Sequence, residues 1–165
     1  MPESAFLRKK WTVFFFTAVF VIVVDQITKA VIMSRLYPND LVEIIPGIFN
    51  IVYYKNTGAA FGIFRGVSAI KTVFLITVTG AALIFIAFMI RRCEDLITTL
   101  TLSLIAGGAV GNLIDRLVFG YVLDFLDFYA GKYHWPAFNM ADSAITAGVI
   151  STILLFSLKK PKRPA

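Results

Sequence analysis

The chain has 165 residues, 58% apolar or aromatic and 16% charged, with a mean hydropathy of +0.80, where an ordinary soluble domain is about 45–50% apolar and about 25% charged. That excludes a typical soluble protein and a disordered chain, and the absence of a long polar linker fits a single domain over 1–165. One cysteine, Cys93, and one histidine, His134, supply neither a disulfide nor a zinc site, and the +6 net charge sits mostly in short basic clusters beside apolar runs; neither a metal, a cofactor nor nucleic acid is expected.

Four stretches have about the 20 apolar residues a membrane helix needs: Trp11–Met33, Thr72–Ile90, Leu96–Ile114 and Phe138–Leu158. The expected fold is therefore mainly α and integral to the membrane, with four transmembrane helices. The first span follows the basic Arg8-Lys9-Lys10 and resembles a signal peptide, but no small-residue cleavage site follows it, so it reads as an uncleaved span. Arg91 and Arg92 lie between spans two and three, and Lys159, Lys160, Lys162 and Arg163 follow span four. By the positive-inside rule both termini face the cytoplasm, and the connections 34–71 and 115–137 face the other side.

In the first of these connections, Leu41–Ile45 and Ile48–Tyr54 are short, rich in β-branched and aromatic residues, and separated by Pro46-Gly47. This predicts a small extracytoplasmic sheet, or cradle, at about 38–68, between helices 1 and 2. Asn56-Thr57-Gly58 breaks the second strand, and the strip Ala59–Phe64 is apolar enough to touch lipid. In span three, Gly107-x-x-x-Gly111 would let another helix approach closely.

A charge at the bilayer centre costs about 2.5–3.5 kcal/mol on insertion scales, so ionisable residues in or beside the spans are functional candidates. Asp25 and Lys29, four apart, fit an ion pair near the outer end of span one. Asp115 and Arg116 follow span three, with Asn112 one turn before Arg116 on the same face; Arg116 reads as an interfacial arginine. The segment Gly120–Phe128 is mostly apolar, with Asp124 and Asp127 embedded in it, and is expected at the membrane surface. Asn139 reads as an N-cap, and Asp142 as a carboxylate stabilised in a helix's first turn.

With spans three and four antiparallel, Asp124 and Asp142 fall at the same face, where two carboxyls sharing a proton would divide acid and base roles, as in an aspartic protease. Spacing alone leaves Asp127 and Asp115 as substitutes. His134, between Tyr133 and Trp135-Pro136, reads as an exposed loop residue and offers no serine a credible base. Two other classes remain open: a small transporter using Asp25 and Lys29 as a relay, and a scaffold packing through Gly107 and Gly111.

Five ordered strings, Asp25-Gln26-Ile27-Thr28-Lys29, Asn56-Thr57-Gly58-Ala59-Ala60-Phe61, Gly107–Arg116, Val122-Leu123-Asp124-Phe125 and Phe138–Ser143, resemble the motif series of the lipoprotein signal peptidases, or signal peptidase II. Leu123 stands where that family commonly has valine. The resemblance implies an aspartic endopeptidase of the bacterial inner membrane that cleaves prolipoproteins just before the diacylglyceryl-modified cysteine. It implies Asp124 and Asp142 as the catalytic pair and Asn56, Gly58, Asn112, Arg116 and Asn139 around the site. Asp25 and Lys29 would support the cradle and its approach to the site, and the strip Ala59–Phe64, with Phe61, would lie over the substrate as a lid or clamp. Expected partners are diacylglyceryl-prolipoprotein and membrane lipid, with the enzyme a monomer.

Overall fold

The computed structural model describes residues 3–58 and 68–158; the expected lid at Ala59–Phe64, including Phe61, lies outside the described residues. The elements run α1 (Glu3–Arg35), β1 (Leu41–Ile45), β2 (Phe49–Asn56), α2 (Ser68–Arg92), α3 (Leu96–Phe119), β3 (Val122–Ala130), β4 (Tyr133–His134) and α4 (Met140–Leu158). All four helices are long and apolar enough to cross a membrane.

The apolar runs locate the helices, but their ends follow other rules. Helix α1 begins at Glu3, not Trp11, because the flanking arginine and lysines are good helix formers whatever their polarity. Helix α3 begins where Asp95 caps the N–H of Thr98 and ends at Gly120, whose φ of 76° is left-handed and whose N–H returns to the Arg116 carbonyl. It therefore runs past Ile114, and Asp115 and Arg116 lie in its last turns rather than after it. Helix α4 starts at Met140, with Asn139 outside it as the cap rather than within the span.

Helix α3 is the axis of the bundle and touches the other three helices. Its glycines make that possible. A Cβ at Gly107 would lie 2.8 Å from the Ala18 carbonyl oxygen of α1, and one at Gly108 2.4 Å from that of Ala141 in α4. Gly111 faces the Asp25 carboxylate at 2.7 Å on the same measure. The Gly107-x-x-x-Gly111 pattern thus brings helices of one chain together. Toward the far end, Ile86 and Ile90 of α2 pack on Leu102 and Ala106 of α3, with Trp11 and Phe14 of α1 against them.

At the other end sits one four-stranded antiparallel sheet in the order β1-β2-β3-β4. The hairpin is where the sequence puts it, but the sheet is not confined to the connection between helices 1 and 2. It also takes β3 and β4 from the connection between α3 and α4, which the sequence suggested only as a surface segment. Strand β3 is buried on both faces from Val122 to Phe125, so it lacks the alternation of apolar and polar residues that marks a half-buried strand. A bulge in β2 between Ile51 and Tyr54 shifts its register against β3. Asn50 therefore pairs opposite Asp127 while Tyr54 pairs opposite Asp124, and the two aspartates, three apart on a strand, point to opposite faces.

Candidate active site

The site forms where β3, the last turns of α3 and the first turn of α4 meet. Asp124 projects from β3 and is 1% exposed; Asp142 sits at the third position of α4, half-buried. Two asparagines join them. The Asn139 Nδ2 donates to Asp124 Oδ1 at 2.8 Å and toward Asn112 Oδ1 at 3.2 Å, and Asn112 Nδ2 donates to Asp142 Oδ1 at 2.8 Å. Asn139 and Asp142 also cap each other: the Asp142 N–H donates to Asn139 Oδ1 at 2.9 Å, and the Asn139 N–H to Asp142 Oδ2 at 3.3 Å. Asn139 is thus both the N-cap and a strut between two carboxyls.

The remaining oxygen of Asp124 accepts from Asn56 Nδ2 at 2.9 Å. Asn56 is oriented in turn by Gly58, whose N–H donates to its Oδ1 at 2.7 Å. Gly58 has a φ of +74°, and a Cβ there would lie 2.7 Å from Leu75 Cδ1 of α2, so both backbone and space call for glycine. Arg116 is half-buried, donates from Nη1 to the Asn112 carbonyl at 3.2 Å, and stands within electrostatic reach of Asp142, Asp115 and Asp124.

Beneath the pair lies a buried ionic cluster. Lys29 Nζ contacts Asp25 Oδ2 at 2.8 Å, Asp115 Oδ2 at 2.9 Å and Asn112 Oδ1 at 3.2 Å. Asp25 Oδ1 accepts the Ala141 N–H of α4 at 2.9 Å, which satisfies a first-turn donor that a helix leaves free. Beyond α1, the direct contacts of Asp25 and Lys29 run to α3 and α4; the sheet they were expected to support is reached at one remove, through Asp115, which accepts the Leu123 N–H of β3 at 3.1 Å, and through Asn112, which Asn139 links to Asp124. Gln26, which sequence reasoning passed over, donates to Asp115 Oδ1 at 3.0 Å. Its signal was an amide beside Asp25 and one turn from Lys29 in a mostly apolar span.

Asp127, the sequence's substitute for Asp124, is occupied on the opposite face of β3 by Asn50 Nδ2 at 2.8 Å and His134 Nδ1 at 2.9 Å. His134 lies in β4 rather than in a loop and stacks on Tyr129. Asp115, the other substitute, is held by Lys29, Gln26 and Leu123. Among the described residues no cluster of three or more His, Cys, Asp or Glu could hold a metal ion.

Burial raises the pKa of Asp124 most; the hydrogen bonds from Asn56 and Asn139 and the Lys29 charge pull it down, the Asp142 charge pushes it up, and the balance stands at about 7. At neutral pH this carboxyl is close to half protonated. The arrangement can therefore present an acid and a base to one substrate group.

Residues 17–158 match the family model described as signal peptidase (SPase) II. The lipoprotein signal peptidase of Syntrophus aciditrophicus (strain SB) is 42% identical over 151 residues, covering 90% of this chain and 94% of that protein. That of Solibacter usitatus (strain Ellin6076) is 44% identical over 151 residues, covering 90% and 91%. A solved bacterial membrane enzyme superposes with a TM-score of 0.78 at 36% identity, covering 90% of this chain and 94% of its own. A match to the family model over most of the chain, relatives above 40% identity and a shared fold lead to one conclusion: this chain belongs to the signal peptidase II family, and with it to the peptidases.

Proposed function

We propose that the chain removes the signal peptide from prolipoproteins, cutting just before the diacylglyceryl-modified cysteine, with Asp124 and Asp142 as its catalytic pair. The observation that carries this reading is the bridge Asp124–Asn139–Asn112–Asp142, which holds carboxyls from β3 and α4 together at one buried end of a membrane bundle. The pair holds one proton. Its ionised member takes a proton from water as the water oxygen bonds to the scissile carbonyl carbon, and its protonated member polarises the carbonyl oxygen. The carbon–nitrogen bond then breaks, and a proton from the pair passes to the leaving amine.

Asn112, Asn139 and Asn56, the last oriented by Gly58, hold the carboxyls; Arg116 lines the site, and Asp25 and Lys29 support it from beneath. A diacylglyceryl substrate stays in the bilayer, which explains carboxyls costly to bury at the edge of a lipid-facing bundle. The basic clusters at Arg8–Lys10 and at Arg91 and Arg92 support a reading in which both termini face the cytoplasm and the sheet lies on the outer side of the membrane, which in this reading is the bacterial inner membrane. The enzyme acts as a monomer of one domain, in contact with lipid.

The test is cleavage of a diacylglyceryl-modified prolipoprotein by the purified chain. Asp124→Asn and Asp142→Asn should each lower kcat by about 10²-fold or more while the fold is kept, the contribution general acid–base groups make, and a chelator should leave wild type unchanged. Wild-type cleavage in either folded variant would overturn the assignment.

A further inference from the structure

The two carboxyls come from elements with no covalent reason to be in register: Asp124 follows the turn after α3, and Asp142 opens α4. We propose that Lys29 is the positioning residue of the pair, a single ammonium that holds Asp124 through Asp115 and Leu123 and Asp142 through Asn112. The inference rests on the reading of Asp124 and Asp142 as the reacting groups.

Lysine has three donors and no acceptor, and Lys29, 1% exposed, spends its donors on three acceptors: Asp25, Asp115 and Asn112. One arm runs from Nζ to Asp115 Oδ2, which also accepts the N–H of Leu123, the residue immediately before Asp124. The other arm fixes an orientation. Because Lys29 only donates, Asn112 must turn its Oδ1 toward the ammonium, and its Nδ2 is thereby turned to Asp142 Oδ1. The Asn112 Oδ1 also receives Asn139 Nδ2, so the amide bridging to Asp124 is aligned by the same nitrogen. Each arm is short and built on α3, and the Asp115 arm is buried throughout. Asp25, the third partner, ties the node to the first turn of α4 through the Ala141 N–H.

Removing Lys29 alone strips two buried carboxylates of their counter-charge, a change that by itself destabilises. The informative variant is therefore Lys29→Met with Asp115→Asn, which leaves the cluster with the net negative charge it has in wild type while cutting both arms. The experiment measures kcat and KM on a diacylglyceryl-modified prolipoprotein for wild type, Lys29→Met, Asp115→Asn, the double variant and Asp124→Asn. Each is assayed at a fixed interval below its own unfolding temperature. Lys29→Met should lower kcat about 10²-fold, the effect of a displacement near 1 Å, with KM within about twofold. The double variant should stay as low. Asp115→Asn should lose less, about tenfold, because its amide oxygen still accepts the Leu123 N–H and the Asn112 arm is intact. If Lys29→Met does not fold, the charge-balanced double variant carries the test.

Wild-type kcat in the double variant would mean that Lys29 acts through charge alone and would overturn the proposal. So would losses that vanish once stability is matched. Undiminished cleavage by Asp124→Asn is a different failure, since it removes the reading of the pair itself.

Discussion

Helices α2 and α3 are neighbours of almost equal length, 25 and 24 residues, and they occupy opposite places in the bundle. The more apolar α2 is the less buried: within their most apolar stretches 11% of α2 and 56% of α3 lie inside the protein. Ile84 and Phe85 of α2 face outward, whereas α3 buries Thr98, Thr99, Thr101, Ser103, Asn112 and Asp115. In water the ranking would run the other way. In a bilayer the tails are as apolar as leucine, so apolarity does not drive helices together; close backbone approach and satisfied polar groups do. Small and polar residues therefore mark the centre of this protein, and large apolar ones its perimeter.

The sharpest way to break that contrast is to add one methyl group to the central helix. In Gly108→Ala the new Cβ would sit 2.4 Å from the Ala141 carbonyl oxygen and 2.8 Å from Ile145 Cγ1. Backbone cannot rotate away as a side chain can, so α3 and α4 must separate. We expect a loss of about 1–3 kcal/mol in unfolding free energy, the cost of overpacking. Cleavage should fall further than stability, because Ala141 lies between Asn139 and Asp142. Thermal unfolding in detergent and cleavage rate check it; wild-type behaviour in both would show that α3 is not packed through its glycines.

The same contrast explains what was legible in the sequence. Lengths of apolar run found all four helices, since a bilayer fixes span length, and Pro46-Gly47 marked the hairpin. Periodicity failed at β3, because Val122–Phe125 is buried on both faces and shows no alternation. The end of α3 was misplaced because apolarity stops at Ile114 while the helix continues to the left-handed Gly120. For the site, Asn139 was readable as a cap and Asp142 as a first-turn carboxylate. What no local signal carried was that the capping amide also reaches Asp124, a contact made only when β3 joins the sheet. Asp115 looked like a spare acid for the same reason: its partners Lys29, Gln26 and Leu123 come from two other elements.

A gentler perturbation changes the polar centre and leaves helix packing alone. Asn56 reaches Asp124 from the sheet, and its donated hydrogen bond favours the charged carboxylate. Asn56→Ala removes that preference, so the pKa of Asp124 rises from about 7. In the proposed mechanism the pair works with one proton, so the alkaline limb of the kcat/KM profile should move to higher pH, by about one unit, since a hydrogen bond to a charged group contributes about 1.5 kcal/mol or more. The limb reports the pair rather than one residue. A shift to lower pH, or none, would disconnect Asn56 from the titrating group.

The smallest expected effect is on the perimeter, and it sets the scale for the others. Gly80 in the middle of α2 has nothing within 4 Å of the position a Cβ would take, against 2.4 Å for Gly108. Gly80→Ala adds the same methyl group to the same kind of backbone, but into lipid rather than into a carbonyl. Alanine is the better helix former by up to about 1 kcal/mol, so the variant should unfold at the wild-type temperature or slightly above and cleave at the wild-type rate. The pair Gly80→Ala and Gly108→Ala holds composition and hydropathy constant and differs only in which helix is changed. If both variants lose stability alike, glycine acts here through backbone flexibility and α3 has no special place; if they separate as expected, the axis of the bundle is defined by close approach alone.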